Sequence, residues 1–411
     1  MKLGDIMERQ ILHIDVNNAF LSWTAVEMLK EGYKTDIREI PAIIGGDETR
    51  RAGIVLAKSM KAKQFGVVTG ETIYQAKRKC PQLQVFQGKY NSYKEYSNRL
   101  YNLLLEYTDK IERYSIDECF LDMTNYLMGQ KLIEKAYEIK KRVKDELGFT
   151  VNIGVSTNKL LAKMASDFKK PDMVHTLYPN EIKAKMWPLD VSELFMLGRK
   201  SVPKLQAMRI KTIGDLAQTN QVKLIKKFGK HGNLMWQYAN GIDNSEVNYK
   251  KEKPKGIGNS ITLPMDISEK QKLQEVLLAL TEHVAYRLRK YNMLANVVNV
   301  QIRTSDFKDF THQGKLNIST CSTKIIYEKA KSLLDEMLKE EKRIRLVGIR
   351  VDNLIDKNQM QMSFFNTEDT EKLEKLDNVL DLINQKYGYN SIIRAGKMEV
   401  QKIVKMKDEK Q

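Results

Sequence analysis

Cysteine is scarce. Cys80, Cys119 and Cys321 are the only three in 411 residues, and no two lie close in sequence. A disulfide framework and a Cys-x-x-Cys metal knuckle are both excluded. No apolar run approaches the ~18 residues that cross a bilayer, and "MKLGDIMERQILHID" reaches an acid too early for an export leader. These absences lead to the expectation of a reduced, cytoplasmic chain outside the membrane. Internal repeats and low-complexity tracts are also lacking. Acid is in deficit: 52 Asp and Glu face 69 Lys and Arg, a net charge of +17 spread along the chain. A dispersed basic excess suits a surface that follows a polyanion, nucleic acid first and an anionic membrane surface second.

At roughly 100 to 200 residues per domain, this length predicts several domains. "RQILHIDVNNAF" is a short apolar strand, Ile11 to Ile14, running into Asp15; "LSWTAVEMLKEG" then has helical spacing and stops at Gly32. "IPAIIGG" and "GIVLAK" are β-rich, "SMKAKQFGV" is a basic helix ending at Gly66, and "SYKEYSNRLYNLLLEYTDKI" is an amphipathic helix. The helix "QKLIEKAYEIKKRVKDELG", the strand "TVNIGVS" and the helix "NKLLAKMASDFKKP", closed by Pro171, follow. Strands alternating with helices up to about residue 180 indicate an α/β or α+β unit. Residues 186–245 read as short helices broken by glycines, and "NYKKEKPKG" as a linker. A β-α-β-β-α-β order near 256–355 predicts a second compact domain, followed by the knot "MSFF" and one more amphipathic helix.

The stretch "DKIERYSIDECFLDM" reads as two strands with Ser115 to Glu118 at or near a hairpin tip, which puts Asp117 and Glu118 side by side. At about 4 Å two carboxylates repel by roughly 4 kcal/mol at an effective dielectric near 20. If Asp15 ends a neighbouring strand, three carboxylates meet at one sheet edge. Such hard oxygen ligands suit Mg²⁺, which keeps waters and substrate phosphates in its other positions. In the alternative reading the acids are solvated turn residues, with Arg113 or Arg142 pairing one of them.

"HIDVNNAF", "YSIDECFLD", "AKQFG", "NIGVSTNKLLAKMASDFKKP" and the two later domains resemble, in order and spacing, the Y-family DNA polymerases, the translesion enzymes of DinB and UmuC type. The resemblance runs from residue 11 to about 355. It implies an α+β multi-domain right hand: palm (1–40 and 81–185), small fingers (41–80), helix-hairpin-helix-like thumb (186–247), linker (248–255), β-α-β-β-α-β little finger (256–355) and tail (356–411).

The resemblance also implies roles. Asp15, Asp117 and Glu118, with the Val16 carbonyl, would hold two Mg²⁺ ions between a primer 3′-hydroxyl and an incoming deoxynucleoside triphosphate. Phe20 would exclude a ribose 2′-hydroxyl. The fingers helix of the family carries a tyrosine and an arginine that touch the triphosphate; here these positions are Met60 and Lys63. Met60 loses that contact, while Lys63 keeps the charge without a bidentate fork and inclines the chain to the UmuC branch. Lys170, before Pro171, would reach the phosphates. In the thumb turn "MLGRKS" only Gly198 fits the family's phosphate-gripping pattern. "QMSFF", Gln361, Met362, Ser363, Phe364 and Phe365, resembles the motif that docks on the bacterial sliding clamp.

The implied activity is error-prone synthesis past damaged bases on primer-template DNA, without proofreading, by a monomer of the SOS response. The lysine-rich composition and clamp motif fit a Gram-positive host or its phage or plasmid. Two rivals remain: a nucleotide cyclase, which needs no thumb or clamp motif, and a catalytically silent DNA-binding accessory protein, which needs no full set of acids.

Overall fold

The protein, a computed structural model, is described over residues 8–46, 53–127, 131–250, 252–338, 342–359, 368–388, 391–392 and 394. It divides into two compact units, Met1–Lys250 and Lys251–Gln411. The division falls inside the stretch expected as a linker. Among the described residues, no helix is long and apolar enough to cross a membrane.

In chain order the first unit contains β1 (Ile11–Val16), α1 (Ala19–Lys30), β2 (Ala42–Gly45), β3 (Val55–Lys58), α2 (Met60–Gln64), α3 (Ile73–Lys79), β4 (Gln84–Gln87), α4 (Tyr90–Leu105), β5 (Ile111–Arg113), β6 (Glu118–Asp122), α5 (Leu132–Arg142), β7 (Val151–Ser156), α6 (Lys159–Ser166) and β8 (Val174–Thr176). Four short helices follow: α7 (Val202–Gln206), α8 (Ile213–Gln218), α9 (Gln221–Phe228) and α10 (Lys230–Ala239). The main sheet has the order β5-β6-β1-β7-β8, with β1 antiparallel to both neighbours. β1 is buried along its whole length, as a central strand covered on both faces must be.

Side chains alternate across the pleat. Leu12, Ile14 and Val16 join Cys119 and Leu121 in a core with Trp23 of α1, Tyr93 and Tyr96 of α4, and Ile139 of α5. Ile11 and Phe120 face the other way, packed with Ala162 of α6. Asp15 and Glu118 share the parity of this second face.

α6 lies unusually close to the sheet because "NIGVS" has no side chain at its centre. A Cβ built on Gly154 would sit 1.9 Å from the Ala162 carbonyl oxygen. The helix ends at Ser166, short of the Pro171 stop expected from sequence. A buried side chain holds the chain just past this end: the Asn152 amide donates to the main-chain oxygens of Ser166, the last helical residue (3.1 Å), and of Lys169 beyond it (3.2 Å). Residues 167–171 thus cross the site as irregular chain.

The small sheet β3-β2-β4 is separate from the main one. Its helices are locally well specified: Ser59 caps α2, and Thr72 with Gln75 forms a capping box on α3. The helices α7 to α10 enclose a core of Leu205, Ile213, Leu216, Leu224 and Met235.

The second unit follows the expected order: β9 (Gly256–Ile267), α11 (Lys270–Lys290), β10 (Met293–Thr304), β11 (Asp309–Thr320), α12 (Thr323–Met337) and β12 (Ile344–Asp352), with a short β13 (Ile355–Asp356) beside β10 and the tail helix α13 (Glu368–Tyr387). Its sheet, β11-β10-β12-β9, is antiparallel throughout. α13 is anchored by charge. The Asp377 carboxylate, 3% exposed, accepts the Thr323 main-chain N–H at the start of α12 (2.7 Å) and an Arg394 N–H (2.7 Å), while Arg289 grips Asp381 at 2.5 and 2.9 Å. The clamp-like stretch Gln361–Phe365 lies outside the described residues.

Candidate active site

Asp15 and Glu118 are register partners on β1 and β6. Glu118 is the first strand residue rather than part of the hairpin tip: the turn is Tyr114–Asp117, closed by the Tyr114 and Ser115 main-chain N–H groups on the Glu118 carbonyl (3.0 and 3.2 Å). Asp117 stands next to the end of β1, where its main-chain oxygen accepts the Val16 N–H at 3.0 Å. Its carboxylate is engaged locally, accepting the Ser115 hydroxyl at 2.5 Å. The structure therefore brings Asp15 and Glu118 face to face and sets the Asp117 carboxylate aside on Ser115. Among the described residues, no three His, Cys, Asp or Glu side chains form a ready-made metal cage.

The repulsion between the paired acids is relieved by lysines. Neither arginine considered from sequence does it: Arg113 bonds Asn98 and lies 3.9 Å over the Tyr101 ring, and Arg142 pairs with Glu106 and Glu146. Lys163, on the sheet-facing side of α6, reaches Glu118 at 2.7 Å, Asp15 at 3.4 Å and Asp167 at 3.2 Å. Lys170 reaches the same Asp15 oxygen at 3.0 Å and Asp167 at 2.9 Å. Burial pushes the Glu118 carboxyl above its usual range; the Lys163 ammonium opposes this and the Asp15 charge adds to it. Burial alone would lower Lys163, but its bond to Glu118 and the charges of Asp167 and Asp15 hold it above the ordinary lysine value. His13, enclosed between α6 and Phe120, is kept neutral by burial and by the nearby Lys163, Lys170 and Lys159.

On the other side of β1, Phe20 is half-buried at the start of α1, its ring 4.8 Å from that of Tyr93. Between β1 and α1 the chain passes through Asn18 in the left-handed region (φ 51°), whose amide donates to the Lys58 carbonyl at 2.6 Å. This bond ties the end of β3 to the loop after Asp15. Met60 and Lys63 lie exposed on α2, which begins two residues after Lys58. Gly198 leaves open space around its Cα, with nothing within 4 Å of where a Cβ would stand.

The sequence singled out the acids, Phe20 and Lys170 but not the residues the structure sets against them, Lys163, Asp167 and Tyr93. A signal for two of them was present: Lys163, Asp167 and Lys170 recur at four and three residues, a spacing that places side chains together on one helical face.

Two family models match, both described as the impB/mucB/samB family: one over residues 14–167 and its C-terminal domain over residues 254–364. The chain is 48% identical over 393 residues to a protein named DNA polymerase IV from Clostridium acetobutylicum, covering 96% of this chain and 99% of that one. It is 37% identical to a DNA polymerase IV from Acetivibrio thermocellus, covering 95% and 97% of the two chains. Among solved structures, a Y-family DNA polymerase chimera superimposes with a TM-score of 0.74 at 26% identity, over 84% of this chain and 99% of that chain. These relatives bear the name DNA polymerase IV and lend no support to an inclination toward the UmuC branch. The chain belongs to the Y-family DNA polymerases, the impB/mucB/samB family, and is by that membership a DNA-directed DNA polymerase.

Proposed function

We propose that this polymerase copies DNA past damaged bases, using a divalent-cation site at Asp15 and Glu118 that Asp117 and the Val16 carbonyl complete. The observation that carries the reading is the facing pair itself: two carboxylates in register at one sheet edge, already drawing two ammonium groups onto their oxygens. The donors fit the group assigned to them. Hard oxygens, few in number and short of a full cage, match Mg²⁺, which leaves positions for water and phosphate. Two Mg²⁺ ions, when bound, would favour loss of the primer hydroxyl proton and offset charge on the triphosphate.

The residues of this chain then have distinct tasks. Asp15 and Glu118 hold the cations at the junction of β1 and β6. Asp117 joins them by leaving Ser115, a rotation confined to one exposed turn. Lys170 and Lys63 bind phosphates, and Met60 offers only apolar contact there. Phe20, held by Tyr93, packs where a ribose 2′-hydroxyl would stand. The primer 3′-oxygen attacks the α-phosphorus, the bond to the bridging oxygen breaks, and pyrophosphate leaves. The thumb-like helices and the second unit bind primer-template DNA chiefly through its backbone, so affinity falls steeply with salt.

Gln361 to Phe365 tether the enzyme to a sliding clamp, which compensates for a weak intrinsic grip. On this reading the protein is a cytoplasmic monomer of the DNA-damage response that does not proofread. Primer extension on matched undamaged and lesion-bearing templates tests it: extension past the lesion with Mg²⁺ is expected, and a stop at the lesion with normal synthesis elsewhere would remove the translesion role.

A further inference from the structure

Lys163 is 7% exposed. An ammonium so placed costs several kcal/mol unless it is paired, and here it is paired three ways. Two of its partners, Asp15 and Glu118, have side chains only 12% and 18% exposed; the third, Asp167, is 45% exposed and stands just past the end of α6. Lys170 repeats the pattern, bridging Asp15 and the same Asp167. Three carboxylates thus meet two ammonium groups, and the inner pair of acids is covered by lysine nitrogen where the proposed divalent cation would sit.

An ammonium and a divalent ion cannot share those oxygens. Even two single positive charges in such close contact repel strongly where little water screens them. A cation entering between Asp15 and Glu118 therefore has to turn Lys163 away. Asp167 makes this feasible, because a rotation of the lysine arm exchanges an inner carboxylate for an outer one without leaving the charge unpaired.

We propose that Lys163 is an internal place-holder for the divalent cation, and that Asp167 is the acceptor to which it retreats when the cation binds. This rests on the reading of Asp15 and Glu118 as cation ligands. Its consequence is that the free enzyme resists idle loading: the acids stay neutralised and ordered until a nucleotide brings phosphate oxygens that outweigh the lost lysine pairing. Lys163 is a positioning residue here, acting through the carboxylates it occupies.

The test is Mn²⁺ binding to the full-length protein without DNA or nucleotide, followed by electron paramagnetic resonance of free Mn²⁺. Lys163→Met removes the competing charge at similar volume and should tighten Mn²⁺ about tenfold, the equivalent of one strong charge interaction. Lys163→Arg, which keeps the charge, should bind within about threefold of wild type. Asp167→Asn leaves Lys163 without its retreat and should weaken Mn²⁺ several-fold. A merely structural lysine would move both altered sites toward weaker binding, so opposite signs are diagnostic. Wild-type binding with Lys163→Met unchanged or weaker overturns the exchange while leaving the acids as ligands. If Lys163→Met does not fold, Asp167→Asn decides, and unchanged or tighter binding in it overturns the proposal. Failure of both the wild type and a folded Lys163→Met, in which the competing charge is gone, to bind Mn²⁺ at millimolar concentration removes both the exchange and the cation site.

Discussion

The Phe20 ring lies stacked on that of Tyr93, centroids 4.8 Å apart and planes 22° from parallel. Tyr93 is itself fixed: it is 3% exposed, its hydroxyl meets the Thr24 hydroxyl at 2.9 Å, and Trp23 stands against it. If Phe20 excludes a ribose 2′-hydroxyl, as proposed, its ring must not yield, and this stack would supply the stiffness. Phe20→Ala should raise incorporation of ribonucleotides relative to deoxynucleotides by about 10- to 100-fold. Tyr93→Leu keeps bulk but loses ring stacking worth about 1 kcal/mol, for a loss of discrimination of about fivefold. Competing UTP and dTTP in a primer-extension assay measures both; equal discrimination in Phe20→Ala and wild type would detach Phe20 from sugar selection.

Gly154 sets how closely α6 approaches the sheet. With the Ala162 carbonyl 1.9 Å from the added atom, the obstacle is helix backbone, which cannot rotate away. Gly154→Ala should destabilise the first unit by about 3 kcal/mol or more, read by urea denaturation. It should also weaken the Lys163 contacts, since that helix carries the lysine to Glu118.

His13 gives the protein an acid-side liability. Its Nδ1 is 2.7 Å from the Ser166 hydroxyl, its Nε2 has no hydrogen-bond partner among the described residues, and burial holds its pKa well below the ordinary 6.5. The unfolded chain takes up a proton at that position below about pH 6.5, whereas the folded chain resists it, so stability is complete above that pH and falls as pH drops toward the lowered folded value. Each unit within the window costs about 1.4 kcal/mol. Melting followed from about pH 7 to pH 5 should fall more steeply in the wild type than in His13→Asn. Identical slopes would mean the imidazole is not the group responsible.

For the tail, Phe364→Ala combined with Phe365→Ala should abolish binding to a bacterial sliding clamp in surface plasmon resonance and leave unassisted primer extension unchanged. Undiminished clamp affinity would refute the docking role of "QMSFF".

What the sequence made legible was whatever depends on local periodicity. "ILHIDV" announces a buried strand that delivers Asp15, "KIERYSIDECFLDM" a hairpin that delivers Glu118, and the order of elements after Gly256 predicts the β-α-β-β-α-β order of the second unit, though not the short β13 beside β10. What escaped depends on contacts across long separations. Lys163 neutralises Glu118 because α6 presses onto β7 at Gly154, an approach that no helix periodicity reveals. The early end of α6 follows from the Asn152 amide taking the Ser166 and Lys169 carbonyls. The hairpin reading left Glu118 at or near the tip, because strand ends within a tight turn depend on which carbonyl the turn amides choose, and here both choose that of Glu118 itself, the first residue of β6. The hydroxyl two residues before Asp117, which its carboxylate accepts, is a contact that strand periodicity does not show.

The account turns on whether the facing acids Asp15 and Glu118 support nucleotidyl transfer. Single-turnover primer extension with Mg²⁺, run on the wild type, Asp15→Asn and Glu118→Gln with primer-template binding measured in parallel, tests this most directly. The wild type should extend, and each variant should lose about 10³-fold in rate with DNA affinity within about twofold of wild type, because neither acid grips the backbone. Extension by either variant at the wild-type rate, or none by the wild type under these conditions, would contradict it.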